Sequence, residues 1–228
     1  ALGEKLSDLI WYGSIDDLTL TENAQPALMA TTLAAFRALQ SEGLNLGDAK
    51  FVAGHSLGEY SALAMAGSLS ISDAAKLLRI RGRAMQNAVP VGIGAMAAIL
   101  GLNYSDLVDI AKTAAKNEVC QAANDNDPSQ VVVSGHKGAV ERAIEIAKAA
   151  GAKRAVLLPV SAPFHSELMA PASLEMKDAL STISIVEPVI PLVSNVKALA
   201  VTIPREIRSL LVEQVTGVVR WRESVEWM

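Results

Sequence analysis

The chain has 228 residues, 51% apolar, 19% charged and 4% aromatic, with 20 Lys and Arg against 24 Asp and Glu for a net charge of −4. So little charge leaves enough apolar sequence for a large core and excludes intrinsic disorder, while the acidic balance and few aromatics argue against nucleic-acid binding. No apolar run approaches the ~20 residues a bilayer demands, the single Cys120 closes no internal disulfide, and three His residues without paired spacing leave no metal site. A reducing, cytoplasmic compartment and between one and two domains are expected.

Asn23-Ala-Gln-Pro26 opens a predicted helix, with Met29, Leu33, Phe36 and Gln40 at helical spacing and Gly43 at its end. Residues 50–53 read as a short buried strand running into Gly54-His55-Ser56-Leu57-Gly58, and 59–66 as a helix. Ser72 or Asp73 then caps a longer helix through Ala88, stopped by Pro90. Strands are predicted at 95–100, 118–123, 130–134 and 153–158, helices at 105–116 and 137–150, and a turn at 124–128. This βαββαβ order over 91–160 is ferredoxin-like. A small subdomain is therefore expected to be inserted there, into a core formed by 1–90 and 161–228. The core continues with a helix at 168–180, a strand at 189–194 and a helix at 204–215. Alternating helices and short buried strands predict an α/β fold, hydrolase-like, with a mostly parallel sheet. Residue 1 is not Met, and 222–228 read as an unfinished amphipathic helix.

Gly54-His55-Ser56-Leu57-Gly58 fits the G-x-S-x-G pattern of a nucleophile elbow. A nucleophilic Ser on a sharp strand-to-helix turn adopts a strained backbone, and the flanking glycines let the turn pack. The following helix aims its free N–H groups at Ser56, and the Leu57 N–H becomes half of an oxyanion hole. A tight turn with an ordinary capping Ser is the plainer alternative. A Ser hydroxyl needs a base. His55 is expected to point away from Ser56 and make a packing or local contact, and His136 to sit in a solvated turn. His165, in a loop where the chain returns to the main sheet, is the expected base. The acids of 91–160, Asp125 among them, read as solvated. A Ser–His dyad with its ring held by a neutral carbonyl is therefore expected rather than a triad.

Arg81 shares one face of its helix with Ala74, Leu78, Met85 and Ala88, whereas Arg79 and Arg83 lie about 200° round. A guanidinium on an apolar stripe must find an anion, either an internal carboxylate or a substrate's. Ser56 and Arg81 together suggest an acyl group that ends in its own carboxylate.

The longer run from Gly54 to Leu63, Gly-His-Ser-Leu-Gly-Glu-Tyr-Ser-Ala-Leu, resembles the active-site signature of the malonyl-CoA:acyl carrier protein transacylases. Gln25-Pro-Ala-Leu28, Arg81-Gly82, Gly94-Ala-Met-Ala97, Gln130-Val-Val-Val133, Gly135-His-Lys137, Pro163-Phe-His165, Ser194-Asn-Val196 and Val219-Arg-Trp221 are similar to segments of that family too. The resemblance covers nearly the whole chain and implies a hydrolase-like core with a ferredoxin-like insert. It implies Ser56 as acylated nucleophile, His165 as base, Arg81 on the malonyl carboxylate, Gln214 orienting His165 through its backbone carbonyl, and Asn195 in support. Phe164 is similar to malonyl-type enzymes of modular synthases and implies a small acyl group without an α-branch. The implied reaction moves malonyl from malonyl-CoA to the phosphopantetheine thiol of acyl carrier protein through malonyl-Ser56, in fatty acid biosynthesis, with no metal or other cofactor. A monomer is expected, in the cytoplasm or, given a targeting segment outside this sequence, in an organelle. The family's Gly-Gln-Gly-Ser-Gln loop and Gly-Pro-Gly segment have no counterpart here, so a native chain longer at both ends is expected. Lys148, Lys153 and Arg154 read as a solvated face before a carrier-protein contact. A serine hydrolase or thioesterase with the same elbow, and an inactive docking module for a carrier protein, are the rival readings.

Overall fold

A computed structural model describes residues 1–228. Helices α1 (Leu6–Tyr12), α2 (Ile15–Thr19) and α3 (Thr21–Ser41) lead to β1 (Val52–Ala53), α4 (Gly58–Met65) and α5 (Ile71–Asn87). Next come β2 (Gly94–Leu100), α6 (Tyr104–Ala115), β3 (Cys120–Asp127), β4 (Gln130–His136), α7 (Lys137–Ala149) and β5 (Arg154–Leu157). The chain finishes with α8 (Ala170–Ser181), β6 (Leu192–Val193), β7 (Ala200–Val201), α9 (Pro204–Glu213) and α10 (Trp221–Trp227). No helix is long and apolar enough to cross a membrane.

These elements make two sheets, each with its own core. The smaller has the order β1-β6-β7 and packs with α3, α4, α5, α8 and α9 around Met29, Leu63, Leu78, Met85, Met176 and Leu211. It is mixed, not mostly parallel as expected: β1 runs parallel to β6, with Val52 opposite Leu192, whereas β6 and β7 are antiparallel. Only residues 194–199 join β6 to β7, and a parallel pair needs a crossover of a dozen or more. The larger sheet has the order β3-β4-β2-β5 with every pair antiparallel, and buries Ile99, Val131 and Val133 against Leu107 of α6 and Ile144 of α7.

Local chemistry explains where elements start. Ser70, not Ser72 or Asp73, caps α5 by accepting from the Asp73 N–H at 2.9 Å. Its expected apolar stripe of Ala74, Leu78, Arg81 and Met85 is buried, but Arg79, predicted on the opposite side, is buried as well. The cause lies in α3, which begins at Thr21 and so places Pro26 inside the helix. Pro26 has no N–H to give the Glu22 carbonyl; Arg79 Nη1 gives one instead at 2.7 Å, and another to Asn23 Oδ1 at 2.6 Å. Gly82 lets the two helices touch, because a Cβ there would lie 2.5 Å from Glu22 Cα.

Residues 124–127, expected as a turn, continue β3, whose two bulges absorb the extra length. Asp125, expected in solvent, is fully buried. The segment before α10 covers this sheet edge: the Asp125 N–H donates to the Val219 carbonyl, and the Val219 N–H to that of Ala123, both at 2.9 Å. Arg222 then closes on the Asp125 carboxylate, with Nη2 at 2.8 Å and Nε at 3.1 Å from its oxygens. Backbone pairing and a largely desolvated ion pair thus tie the larger sheet to the end of the chain.

Candidate active site

Strand β1 runs into a turn that requires glycine at position 54, whereas a Cβ at Gly58 would meet open space. A Cβ on Gly54 would stand 2.0 Å from the Gly58 backbone, so glycine lets the strand end meet the start of α4. Ser56 sits in the left-handed region at φ 53°, a conformation that costs a non-glycine residue about 1–3 kcal/mol unless its surroundings enforce it. Asn195, just beyond β6, enforces it from both sides. Its Oδ1 accepts from the Ser56 N–H at 2.7 Å, and its Nδ2 donates to the Gly54 carbonyl at 2.9 Å. Gln214, at the end of α9, adds a third hold by donating Nε2 to the Ser56 carbonyl at 2.8 Å. The Leu57 N–H, at the mouth of α4, makes no hydrogen bond within the chain and remains a free donor beside Ser56.

His165 meets Ser56 across 109 positions of sequence, its Nε2 lying 2.7 Å from Ser56 Oγ. Its Nδ1 lies 2.9 Å from the backbone oxygen of Gln214. A carbonyl only accepts, so Nδ1 carries the hydrogen and Nε2 of the neutral ring presents a lone pair to the Ser56 hydroxyl. Burial, helped by the charge of Arg81, pushes His165 down to about 3 from an ordinary 6.5. The unfolded chain then binds a proton that the folded one refuses, so stability falls as pH drops from 6.5 toward about 3. Urea melts of the wild type and His165→Ala across that window should separate by ~1.4 kcal/mol per pH unit. Parallel curves would show a ring that charges freely.

Arg81 is 1% exposed and has no carboxylate within ion-pairing distance. Its partners are neutral: Nη1 donates to Gln25 Oε1 and Nη2 to Gln214 Oε1, each at 2.8 Å, and Nη2 also to Ser56 Oγ at 3.1 Å. Nε has no partner at all. The internal carboxylate that the helix pattern allowed is therefore not the answer, and a desolvated cation with a spare N–H faces the serine. Glu59 is nearby but one residue removed. One carboxylate oxygen accepts from the Asn195 N–H at 2.8 Å and the other from Gln214 Nε2. Burial raises Glu59 to about 7, against the pull of these donors and of Arg81.

Ser56, His165, Arg81, Gln214, Asn195 and the Leu57 N–H, all singled out from sequence, thus converge on one point. Gln25 and Glu59 were quoted only as parts of longer motifs, and their contributions were missed. A Glu heading an otherwise weakly polar helix, three residues after the serine, was the available signal for one, and a polar residue set between Ala24 and Pro26-Ala27 for the other. His55 makes no hydrogen bond to Ser56: it lines the same cleft, but its Nε2 lies 2.9 Å from Asn126 Oδ1 and its ring 5.5 Å from that of Trp221. His136 is half-buried and accepts from the Val119 N–H at 2.9 Å. No three His, Cys, Asp or Glu side chains gather as a metal cage would need.

A cleft of about 320 Å³ opens above Ser56 and His165, between the smaller sheet and the outer face of the larger one. Met96, Val132, Leu158 and Phe164 give it apolar walls, and Asn124, Asn126 and Gln130 carry amides into it. The arrangement brings together a serine hydroxyl, a neutral imidazole, a free backbone N–H and a buried cation with no carboxylate partner.

Residues 1–223 match the model of the acyl transferase domain. The malonyl CoA-acyl carrier protein transacylase of Bacillus subtilis is 47% identical over 225 residues, 98% of this chain and 70% of that protein. The acyl-carrier-protein S-malonyltransferase of Bartonella henselae superposes with a TM-score of 0.95 at 57% identity, over 99% of this chain and 72% of that one. A malonyl-transacylase solved in complex with its type II PKS acyl-carrier protein superposes with a TM-score of 0.95 at 42% identity, over 99% and 72%.

Proposed function

This chain belongs to the acyl transferase domain family, and on that footing we infer that it is an acyl-carrier-protein S-malonyltransferase, loading malonyl from malonyl-CoA onto acyl carrier protein for fatty acid synthesis. The observation that carries the malonyl assignment is Arg81, a buried cation whose partners are two side-chain amides and, at 3.1 Å, the Ser56 hydroxyl, with no carboxylate among them. A free-standing anion is what such a site lacks, and malonyl brings one at the end of its acyl group.

In the proposed reaction His165 Nε2 takes the Ser56 proton as Oγ attacks the thioester carbonyl. The tetrahedral oxyanion is received by the Leu57 N–H, and the His165 proton leaves with the CoA thiol. Malonyl then stays on Ser56 with its carboxylate on Arg81. The phosphopantetheine thiol of the carrier protein gives its proton to His165 and attacks the ester; as the Ser56–acyl bond breaks, His165 returns that proton to Ser56 Oγ, restoring both groups. Gln214 keeps the imidazole in the required tautomer through its backbone carbonyl, and Asn195 holds the elbow. Every step draws on side-chain and backbone groups of one chain, consistent with a monomer and with no resident cofactor. We place the enzyme in the reducing cytoplasm, where the buried Cys120 stays a thiol. The two-sheet layout supports a hydrolase-like core of 1–90 and 161–228 with a ferredoxin-like unit of 91–160 as one wall of the cleft. Phe164 narrows that cleft and favours an unbranched acyl group.

Incubation with malonyl-CoA followed by peptide mass spectrometry should find malonyl on Ser56, and adding carrier protein bearing phosphopantetheine should remove it to that thiol. Release of free malonate without transfer would mark a hydrolase. Absence of any adduct would mark a docking module.

A further inference from the structure

Glu59 is the one acid inside the site, and the dyad makes no use of it. It belongs to the first turn of α4, three residues after Ser56, and is 1% exposed. Both oxygens are engaged by donors: the Asn195 N–H on one and Gln214 Nε2 on the other. Two donors on two oxygens suit an ionised carboxylate, since a proton on either oxygen would face an N–H. Gln214 connects this acid to Arg81. Its Nε2 side turns to Glu59 and to the Ser56 carbonyl, which leaves Oε1 turned to Arg81 Nη2.

Resting on the malonyl-transfer reading, we propose that Glu59 is a positioning residue whose carboxylate fixes the orientation of the Gln214 amide and thereby holds the Arg81 guanidinium in place for the malonyl carboxylate. With a protonated or amide side chain at position 59, one of the two donors loses its acceptor. If Gln214 turns over to compensate, its NH2 faces Arg81, donor against donor, and the guanidinium withdraws from Ser56.

The groups around Glu59 make the effect readable. From α5 comes Arg81, whose charge favours the carboxylate, and from α4 itself Tyr60, pushed up to about 12 by burial. Asn195 and Gln214 contribute only amides. The 161–166 loop contributes His165, held near 3 and silent at neutral pH. His55, on the wall of the same cleft, is moved below its ordinary 6.5 by burial, which leaves Glu59, raised to about 7, as the group here that titrates through neutrality.

The test is the pH dependence of malonyl and acetyl loading, each as kcat/KM, in the wild type and Glu59→Gln. In the wild type, malonyl loading should fall as pH drops through about 7, chiefly through KM, while acetyl loading, which needs no cation, changes little. Glu59→Gln should lack that acid limb and load malonyl about 10- to 100-fold more slowly at high pH, with acetyl loading at least about tenfold less affected. A variant that keeps the limb, or loses malonyl and acetyl loading equally, would overturn the role. The wild-type profile decides even if the variant fails to fold: malonyl loading flat through neutrality would overturn it, with the function intact. A wild type that takes no malonyl at any pH would overturn the transfer reading itself.

Discussion

Ser56→Ala will lower malonyl transfer to a carrier-protein thiol by roughly 10⁴- to 10⁶-fold, the scale seen when a serine nucleophile is removed from a preorganised site. The variant should stay folded. Asn195 grips the Ser56 N–H and Gln214 its carbonyl, both backbone groups that alanine keeps, and alanine supplies the same Cβ at φ 53°. What disappears is Oγ, on which His165 Nε2 and Arg81 Nη2 both converge. Transfer assays beside a thermal melt separate the outcomes: a near-native melt with transfer abolished is expected. A variant retaining a tenth of the activity would remove Ser56 from the chemistry and with it the covalent route.

Arg81→Ala has the second largest expected effect, and it is selective. Removing one partner of a buried, hydrogen-bonded charge pair costs about 2–5 kcal/mol, which converts to roughly 30- to 4,000-fold in malonyl loading. Acetyl has no carboxylate to lose and should load within about tenfold of the wild-type rate. Some loss of stability accompanies the change, because the Oε1 atoms of Gln25 and Gln214 both accept from this guanidinium and would be left in a buried gap. Competitive labelling of Ser56 with malonyl-CoA and acetyl-CoA, read by mass, isolates selectivity from stability, since both donors meet the same folded fraction. An equal decline of both labels would mean that Arg81 supports the fold and does not choose the acyl group.

Much of the site was legible because its chemistry is written locally. G-x-S-x-G names the serine, the glycine that lets strand meet helix, and the free N–H that follows. Helical periodicity alone put Arg81 on a buried face, where the cost of an unpaired charge demands an anion. Choosing His165 among three histidines needed only the expectation that a neighbour on an elbow points away and that the base returns from a loop. Less legible were features set by packing between distant segments. Periodicity put Arg79 opposite the apolar stripe, and its burial follows from partners on other segments: the carbonyl freed by Pro26, the Asn23 amide and the Glu4 carboxylate. Asp125 reads as an ordinary hairpin acid until Val219 and Arg222 arrive from the end of the chain. Glu59 reads as a helix-start acid, yet no window of sequence shows the two donors that close around it.

Sequence by itself determined which groups are available and how each is presented: a strained serine at a helix mouth, an arginine on an apolar stripe, and the order of helices and strands. Those follow from backbone geometry over a few residues, which neighbours in the chain dictate. Tertiary structure alone decided that Arg81 faces amides and no carboxylate, that His165 is desolvated enough to stay neutral, and that Glu59 titrates near neutrality. Charge and protonation depend on what else is brought within a few ångströms and on how much water is expelled. Both are settled by the stacking of segments far apart in the chain.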